Sequence, residues 1–297
     1  MLHTAAAGFF FARDMRSGAA DLRSALRALR SAEMETAESE LASARAVLAR
    51  ATARFDAPGI AALGELEPLT DDVDALQTLA LVAEDVAGAG LTFVQALGIH
   101  DAGDVYSEGT LDLDATERAV IALDQLDADL ADVSTRLDAI SDTIVRPIRV
   151  RVARTERLLA ATRATVERAD AFVAMVPSFA GAEEPRRYFV AFQSPSEARG
   201  GGGLVGVYGI LRADAGHFEL TRVDTIETLV RAQRATARRA RAVAVPGWFR
   251  ATYGPFGALD DWRMVNLSPN FPVTGEVILD LYEAHAGAPL DGVIALD

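Results

Sequence analysis

The feature that most constrains the fold is a run of four consecutive glycines, Gly200–Gly203, set between two apolar segments. Tyr188–Phe192 precedes the run, with a polar hinge in between, and Leu204–Leu211 follows it. Short apolar runs bounded by turn residues are typical of β-strands. We therefore predict that the glycines form a bend between two adjoining strands, and that Arg199 lies beside the bend at a sheet edge.

The chain before this stretch predicts long helices. Ala, Leu, Arg and Glu, all good helix formers, dominate from Arg13 to about Phe55, where we expect one long helix. Further helices are expected from Thr70 to about Leu97 and from Ile148 to Met175. Between them an apolar seam recurs at intervals close to three and four, as in coiled coils: Val120, Leu123, Leu130, Val133, Leu137, Ile140 and Ile144. Helices of about 30 residues reach about 45 Å, so an elongated bundle is predicted.

The chain after the glycines predicts mixed α/β structure. A third strand is expected at Phe218–Val223, helices at Leu229–Val243 and Val273–Ala286, and a last strand at Val293–Leu296. Strands that alternate with helices favour a mixed, partly parallel sheet. The predicted fold class is therefore α+β and multidomain, with a helical bundle over 13–177 and a truncated mixed α/β domain over 185–297.

The first twelve residues leave two interpretations open. Leu2–Ala12 is apolar, with three phenylalanines at its centre. About 20 apolar residues are needed to span a bilayer, so this segment cannot cross one alone. It is either the remnant of a membrane helix or the start of an ordinary amphipathic helix.

Composition and motifs exclude several function classes. The formal net charge is −14, which argues against nucleic acid as the main partner because phosphate contacts need a basic surface. The chain has no cysteine, hence no thiolate nucleophile or cysteine metal site. Its four histidines are scattered, and no Glu-x-x-His pair of the di-metal bundle type is present. No cofactor is evident from the sequence.

The glycine run itself fits no nucleotide-binding fingerprint. Gly201, Gly203 and Gly206 satisfy the spacing G-x-G-x-x-G, but a β-like segment follows where the fingerprint requires a helix. Successive glycines can also aim backbone N–H groups at an anion. A tight loop that has no room for side chains is the interpretation we favour.

Two groups of polar residues are candidate binding sites. Arg199 could hold a phosphate or carboxylate bidentately, with Gln193 adding a hydrogen bond, or it could pair with Glu197 and lock the hinge onto the sheet. The second group is a basic stripe at intervals of three, four and three, which share one helix face: Arg231, Arg234, Arg238 and Arg241. The stripe could meet lipid headgroups or an anionic glycopolymer, or it could be a solvated face or a dock for the acidic bundle.

Four motifs, taken in order, resemble the DUF4012 family of uncharacterised bacterial envelope proteins. They are RRYFVAFQ from Arg186, SEARGGGGLVGVYGIL from Ser196, NLSPNFP from Asn266 and DGVIALD from Asp291. The residues that fall on the family's motifs are Gln193, Glu197, Arg199, Gly202, Gly203, Gly206, Asn266, Pro269, Phe271, Pro272, Asp291 and Asp297. Three departures stand out. The membrane helix is absent or reduced to Leu2–Ala12, and Ser194-Pro195 replaces the family's usual Asn-Asn. The family's domain also normally continues past Asp297, so the chain looks like a fragment.

The resemblance implies a membrane-associated protein on the extracytoplasmic face of the cell membrane, which binds or organises cell-surface polymer. The implied anion-binding candidates are Gln193, Glu197, Arg199, Gly202, Gly203, Asn266, Asp291 and Asp297. A remoter similarity of layout to LytR–CpsA–Psr phosphotransferases gives an alternative, a glycopolymer phosphotransferase in which Arg199 clamps a pyrophosphate with the help of a divalent metal. A purely structural interaction protein is the third expectation.

Overall fold

The chain folds into two compact units, as seen in a computed structural model that describes residues 2–67, 69–100, 102–140, 144–236 and 245–296. One unit comprises Met1–Ser107 and Asp112–Val176, and the other comprises Glu108–Leu111 and Pro177–Asp297. The first is built from helices and the second contains the main sheet. The predicted α+β class is therefore confirmed.

Helices, most of them long, make up the first unit. In chain order they are α1 Leu2–Arg30, α2 Met34–Thr52, α3 Pro58–Gly64, α4 Thr70–Leu97, α5 Leu113–Asp138 and α6 Arg146–Phe179. Two short strands, β1 Tyr106–Ser107 and β2 Thr110–Leu111, lie between α4 and α5. The last residues of α6 belong to the second unit, and Pro177 lies inside its final turn.

The expected single helix from Arg13 to Phe55 is wrong, because the chain turns back within it. α1 ends at Arg30, and Ala32 adopts the left-handed conformation, with φ of 56°. The N–H of Glu33 then donates to the carbonyl oxygen of Ala28 at 2.9 Å, which closes the end of the helix. Glycine usually occupies such a left-handed position. Because alanine stands there instead, neither glycine nor proline marks the turn in the sequence.

The predicted apolar seam is confirmed as the centre of the helical unit. Its members Leu123, Leu130, Val133, Leu137 and Ile144 are all buried. They pack with Leu79 and Val82 of α4 and with four residues of α6: Ile148, Val152, Leu159 and Val166. Burying each such side chain contributes about 1.5–3 kcal/mol, so this shared core is the main stabilising element of the unit.

The apolar N-terminal segment forms the first turns of α1, and the helix runs on past it to Arg30. Phe11 packs edge-on against Phe55 with ring centroids 5.1 Å apart, whereas Phe9 is exposed. Among the described residues, one helix, α4, is long and apolar enough to cross a membrane by length and composition. Residues of that helix also line the core of the helical unit, so length and composition alone do not make it a membrane span.

The second unit contains a mixed sheet with helices packed on it. Its further elements are β3 Arg186–Arg199, β4 Gly202–Asp214, β5 His217–Thr225, α7 Ile226–Thr236, α8 Gly247–Tyr253, α9 Phe271–Ala286 and β6 Gly292–Leu296. The strands pair in the order β2-β5-β4-β3-β6. β6 runs parallel to β3, while β3, β4 and β5 are antiparallel to one another, which confirms the predicted mixed sheet. The second half of the helix expected at Leu229–Val243 lies outside the described residues.

An aromatic core holds the sheet against its helices. Phe189 of β3 stacks on Tyr208 of β4 and on Trp262, with ring centroids 5.3 and 5.9 Å apart, respectively. The same buried cluster includes side chains from α7 and α9: Ile226, Leu229, Val230, Val277, Ile278 and Leu281. Because Trp262 belongs to this core, the segment that follows it is held in place next to the sheet.

Candidate functional site

The four glycines form the tip of a β-hairpin. β3 and β4 pair antiparallel up to Arg199 and Gly202, which face each other across a turn made by Gly200 and Gly201. Gly202 has φ of 114°, a conformation that residues with a Cβ rarely adopt. The predicted bend between two adjoining strands is thus confirmed, as is the strand conformation of Leu204–Leu211.

The tip extends beyond the neighbouring strand on the β4 side. β5 ends opposite Val207. Within the tip, the register shifts between Ser194 and Ala198, so three residues of β3 have no partner residue on β4. Such bulges bend a strand and redirect its side chains. On the β4 side, residues 202–206 therefore depend on contacts other than strand pairing with β5.

Asn266 supplies those contacts on one side of the tip. Its side chain is 1% exposed, and its Nδ2 donates to the carbonyl oxygen of Gly203 at 2.6 Å. Its own carbonyl oxygen accepts from the N–H of Gly201 at 3.0 Å. Gln193 adds two bonds: Nε2 donates to the Gly201 carbonyl oxygen at 3.0 Å, and Oε1 accepts from the Gly203 N–H at 3.3 Å. Asn266 and Gln193 therefore fix the conformation of the turn.

These contacts distinguish between the two interpretations of the glycine run. The N–H groups of Gly201 and Gly203 already donate within the protein, so they are not free to bind an anion. In addition, a Cβ at Gly200 would lie 2.1 Å from the carbonyl oxygen of Leu267, and one at Gly203 would lie 2.1 Å from that of Ser194. The glycines therefore permit close approach of backbone segments, which is the tight-loop interpretation.

Arg199 is the cationic group at this tip. Its side chain is 21% exposed, and its Nη2 lies 3.9 Å from Oε2 of Glu197, the longest ion-pair distance in the described chain. Nη1 donates to the carbonyl oxygen of Ala198 at 3.1 Å, whereas the buried Nε has no hydrogen-bond partner among the described residues. Exposed ion pairs contribute about 0–1 kcal/mol, so Glu197 holds this guanidinium only weakly.

Asp291 lies at the other end of the sheet. Its carboxylate accepts from Arg186 Nη1 at 3.0 Å and from the backbone N–H of Arg187 at 2.7 Å. The parallel register places Gly292 beside Tyr188. Gln193 is therefore several residues farther along β3, about 17–20 Å away at about 3.3 Å per residue. The structure brings Gln193, Glu197, Arg199, Gly202, Gly203 and Asn266 to the hairpin tip and leaves Asp291 apart; Asp297 lies outside the described residues.

Half of the predicted basic stripe can be located. Arg231 and Arg234 are exposed on α7, and Arg231 Nη2 lies 3.4 Å from the hydroxyl of Thr228. Arg238 and Arg241 lie outside the described residues. The two described arginines thus share one face of a helix that packs on the sheet through Leu229 and Val230.

The loop that carries Asn266 also fixes the start of α9 through polar contacts. Ser268 is fully buried, and its Oγ accepts from the N–H of Asn270 at 3.1 Å. Asn270 caps α9, since its Oδ1 accepts from the N–H of Val273 at 3.4 Å. Asn followed by a proline at the second position of a helix was the available signal for this cap.

A partly buried histidine lies between the ends of α7 and α9. His285 Nδ1 lies 2.7 Å from Thr236 Oγ1, and burial lowers the pKa of His285. Because the folded state favours the neutral ring, the unfolded chain binds more protons as the pH falls through about 6.5, the ordinary pKa of histidine. We expect the melting temperature of the second unit to decrease on acidification from about pH 7.5 to about pH 5.5. The decrease should be smaller in His285→Gln, and an identical decrease in both proteins would contradict this assignment.

The family comparison applies to the part of the chain that contains this hairpin. Residues 183–297 match the DUF4012 family model. The family is described as a protein of unknown function, so the DUF4012 match confirms the resemblance without assigning an activity. No curated protein and no solved structure matches the chain. Among the described residues, no group of three or more His, Cys, Asp or Glu side chains is placed to hold a metal ion.

Proposed function

We propose that the protein is a component of the bacterial cell envelope on the extracytoplasmic face of the membrane, and that its DUF4012 region binds an anionic cell-surface polymer. The observation that carries the proposal is Arg199: a partly exposed guanidinium on a fixed hairpin tip, whose ion-pair partner Glu197 lies at 3.9 Å. The envelope location is what the resemblance to DUF4012 implies.

The chemistry of the tip favours an anion as the ligand. An arginine presents its donors in a planar fork that matches phosphate and carboxylate groups. Glu197, the nearest carboxylate, is 59% exposed on its side chain and can rotate away. Asn266 and Gln193 hold the backbone beside Arg199 before any ligand arrives, so little ordering of the main chain is needed on binding.

Polymer binding by the purified chain tests this proposal. The probes are poly(glycerol phosphate), as the anionic polymer, and dextran, as an uncharged control. Replacing Arg199 removes a charge-assisted hydrogen bond worth about 1.5–3 kcal/mol, so Arg199→Ala is expected to weaken binding about 10- to 100-fold. Arg199→Lys keeps the charge without the fork and should give an intermediate affinity.

The matched control is the double variant Arg231→Ala with Arg234→Ala, which removes two exposed cations from α7. Its affinity should stay within about twofold of the original chain, because surface substitutions away from a site have small effects. If the double variant lost polymer binding while Arg199→Ala kept it, the polymer site would lie on the basic stripe and not at the hairpin tip. Equal binding to dextran, or no binding to either polymer, would contradict the proposed function.

A further inference from the structure

The outward face of α6 combines positive charge with exposed apolar side chains. The helix buries its opposite side, where Ile148, Val152, Leu159 and Val166 enter the core of the helical unit. Successive residues are rotated by about 100°, so the residues on the far side can be read from the sequence. They include Arg146, Val150, Arg154, Arg157, Arg168, Phe172 and Met175, and Leu158 lies at the edge of this face, about 95° from the centre of the buried stripe. All eight are exposed.

The apolar members of this outward face are unusually accessible. Val150, Leu158, Phe172 and Met175 are 58%, 60%, 66% and 61% exposed, respectively. Single exposed apolar residues are common, but a row of large ones along one helix face marks an interaction surface. In this row they alternate with arginines, whose long apolar stems extend the same surface.

Charge is segregated across α6. The acidic residues of the helix, Glu156, Glu167 and Asp170, fall within about 90° of its buried stripe. On that inner side Arg163 pairs with Asp127 of α5 at 3.0 Å. The four outward arginines make no ion pair among the described residues. A chain with a net charge of −14 thus presents one helix face with cations and without carboxylates.

We propose that this face of α6 docks the protein on a membrane surface that carries anionic lipid headgroups. Arginines attract the headgroups, and interspersed Leu, Val, Phe and Met side chains insert at the boundary with the acyl chains. A hydrated polyanion would make no use of the apolar row. A second copy fits less well, because a two-fold contact of this face with itself brings no carboxylates to the arginines.

Binding to lipid vesicles tests the docking surface, and the test is independent of polymer binding at the hairpin tip. The full chain is mixed with vesicles of phosphatidylglycerol and phosphatidylcholine, or of phosphatidylcholine alone, and bound protein is separated by flotation. We expect binding to the anionic vesicles only, and weaker binding at high salt because surface charges are then screened. Each basic residue near an anionic surface contributes about 1 kcal/mol, so replacing Arg146, Arg154, Arg157 and Arg168 by Gln should reduce binding at least about tenfold.

A charge-matched variant tests whether vesicle binding depends on the outward face of α6 or only on the net charge of the chain. Replacing Arg23, Arg27, Arg30 and Arg50 by Gln removes four exposed arginines from α1 and α2 and should leave vesicle binding within about twofold. Leu158→Ser with Phe172→Ser keeps every charge and should still weaken binding severalfold. The proposal is overturned if the original chain does not bind anionic vesicles, if both arginine variants lose binding equally, or if the Arg199→Ala variant binds soluble polyphosphate as well as it binds the vesicles. It is also overturned if light scattering shows a dimer that Leu158→Ser with Phe172→Ser converts to a monomer.

Discussion

Replacing Gly200 with alanine is expected to destabilise the sheet-containing unit by about 3 kcal/mol, near the upper end for substitutions that overfill a packed site. The new Cβ would lie 2.1 Å from the carbonyl oxygen of Leu267 and 3.0 Å from the nitrogen of Pro269. Both are backbone atoms, so no side chain can rotate to relieve the overlap. Either the turn must move away from the loop that carries Asn266, or that loop must shift.

The matched control for Gly200→Ala is Gly206→Ala, on the same hairpin. A Cβ at Gly206 meets no atom within 4 Å, and its φ is not in the left-handed region. Alanine restricts the unfolded chain more than glycine does, so this variant should be neutral or more stable by up to about 1 kcal/mol. An equal loss of stability in both variants would show that the hairpin does not tolerate any added carbon atom. It would contradict the overlap with Leu267 as the cause of the effect of Gly200→Ala.

Tryptophan fluorescence can follow this unit selectively. The chain has two tryptophans, Trp248 and Trp262, and both belong to the unit that contains the sheet. Trp262 is fully buried against Phe189, so its emission should change when the aromatic core opens. Urea unfolding monitored by fluorescence therefore reports on the sheet unit, while far-ultraviolet circular dichroism is dominated by the helices. Gly200→Ala should shift the fluorescence transition and leave most of the helical signal unchanged.

Local patterns allowed the hairpin and the helical seam to be predicted. The strands on either side of Gly200–Gly203 follow from apolar runs and turn residues that are adjacent in sequence. The seam on α5 follows from spacings of three and four, because those spacings return a side chain to one helix face. Both features depend on neighbours within a few residues, and both are confirmed.

The features that were missed depend on contacts between distant residues or on an unusual residue in a turn. α1 ends at a turn in which Ala32 has a left-handed backbone conformation, and residue propensities do not predict alanine at such a position. The hydrogen bond from Asn266 to Gly203 joins residues 63 positions apart. Asp291 was grouped with the hairpin tip, but the parallel pairing of β6 with β3 sets it beside Arg187 instead. The sequence does not show which end of a parallel strand such as β6 lies next to the hairpin tip.

The second large effect is expected from Asn266→Asp, which changes the shape of the side chain very little. Nδ2 of Asn266 donates to the carbonyl oxygen of Gly203 at 2.6 Å in a site that is 1% exposed. A carboxylate there would set one oxygen against another and bury a charge without a partner. Leaving a buried charge uncompensated costs about 3–5 kcal/mol, so this variant should unfold at much lower urea near neutral pH.

Asn270→Asp is the matched control, because it makes the same chemical change four residues away. Asn270 caps α9, and its Oδ1 accepts from the N–H of Val273. Aspartate is as good a helix cap as asparagine, and a negative charge is favoured at a helix N-terminus. We therefore expect Asn270→Asp to be neutral or slightly more stable. If both variants were destabilised by the same amount, a negative charge anywhere in this loop would be destabilising. That result would contradict a specific role for the hydrogen bond from Asn266.

The pH dependence of Asn266→Asp identifies the cause of its instability. Desolvation raises the pKa of a buried carboxyl group, so the folded variant favours the protonated form. Below about pH 4, the ordinary pKa of aspartate, the unfolded chain is protonated as well, and the charge no longer opposes folding. A protonated carboxyl can also donate to the Gly203 carbonyl oxygen. The difference in unfolding free energy between Asn266→Asp and the original chain should therefore shrink as the pH falls towards about 4 and grow as it rises. The difference for Asn266→Ala should not depend on pH, and an equal pH dependence in the two variants would show that lost packing, not the buried charge, causes the instability.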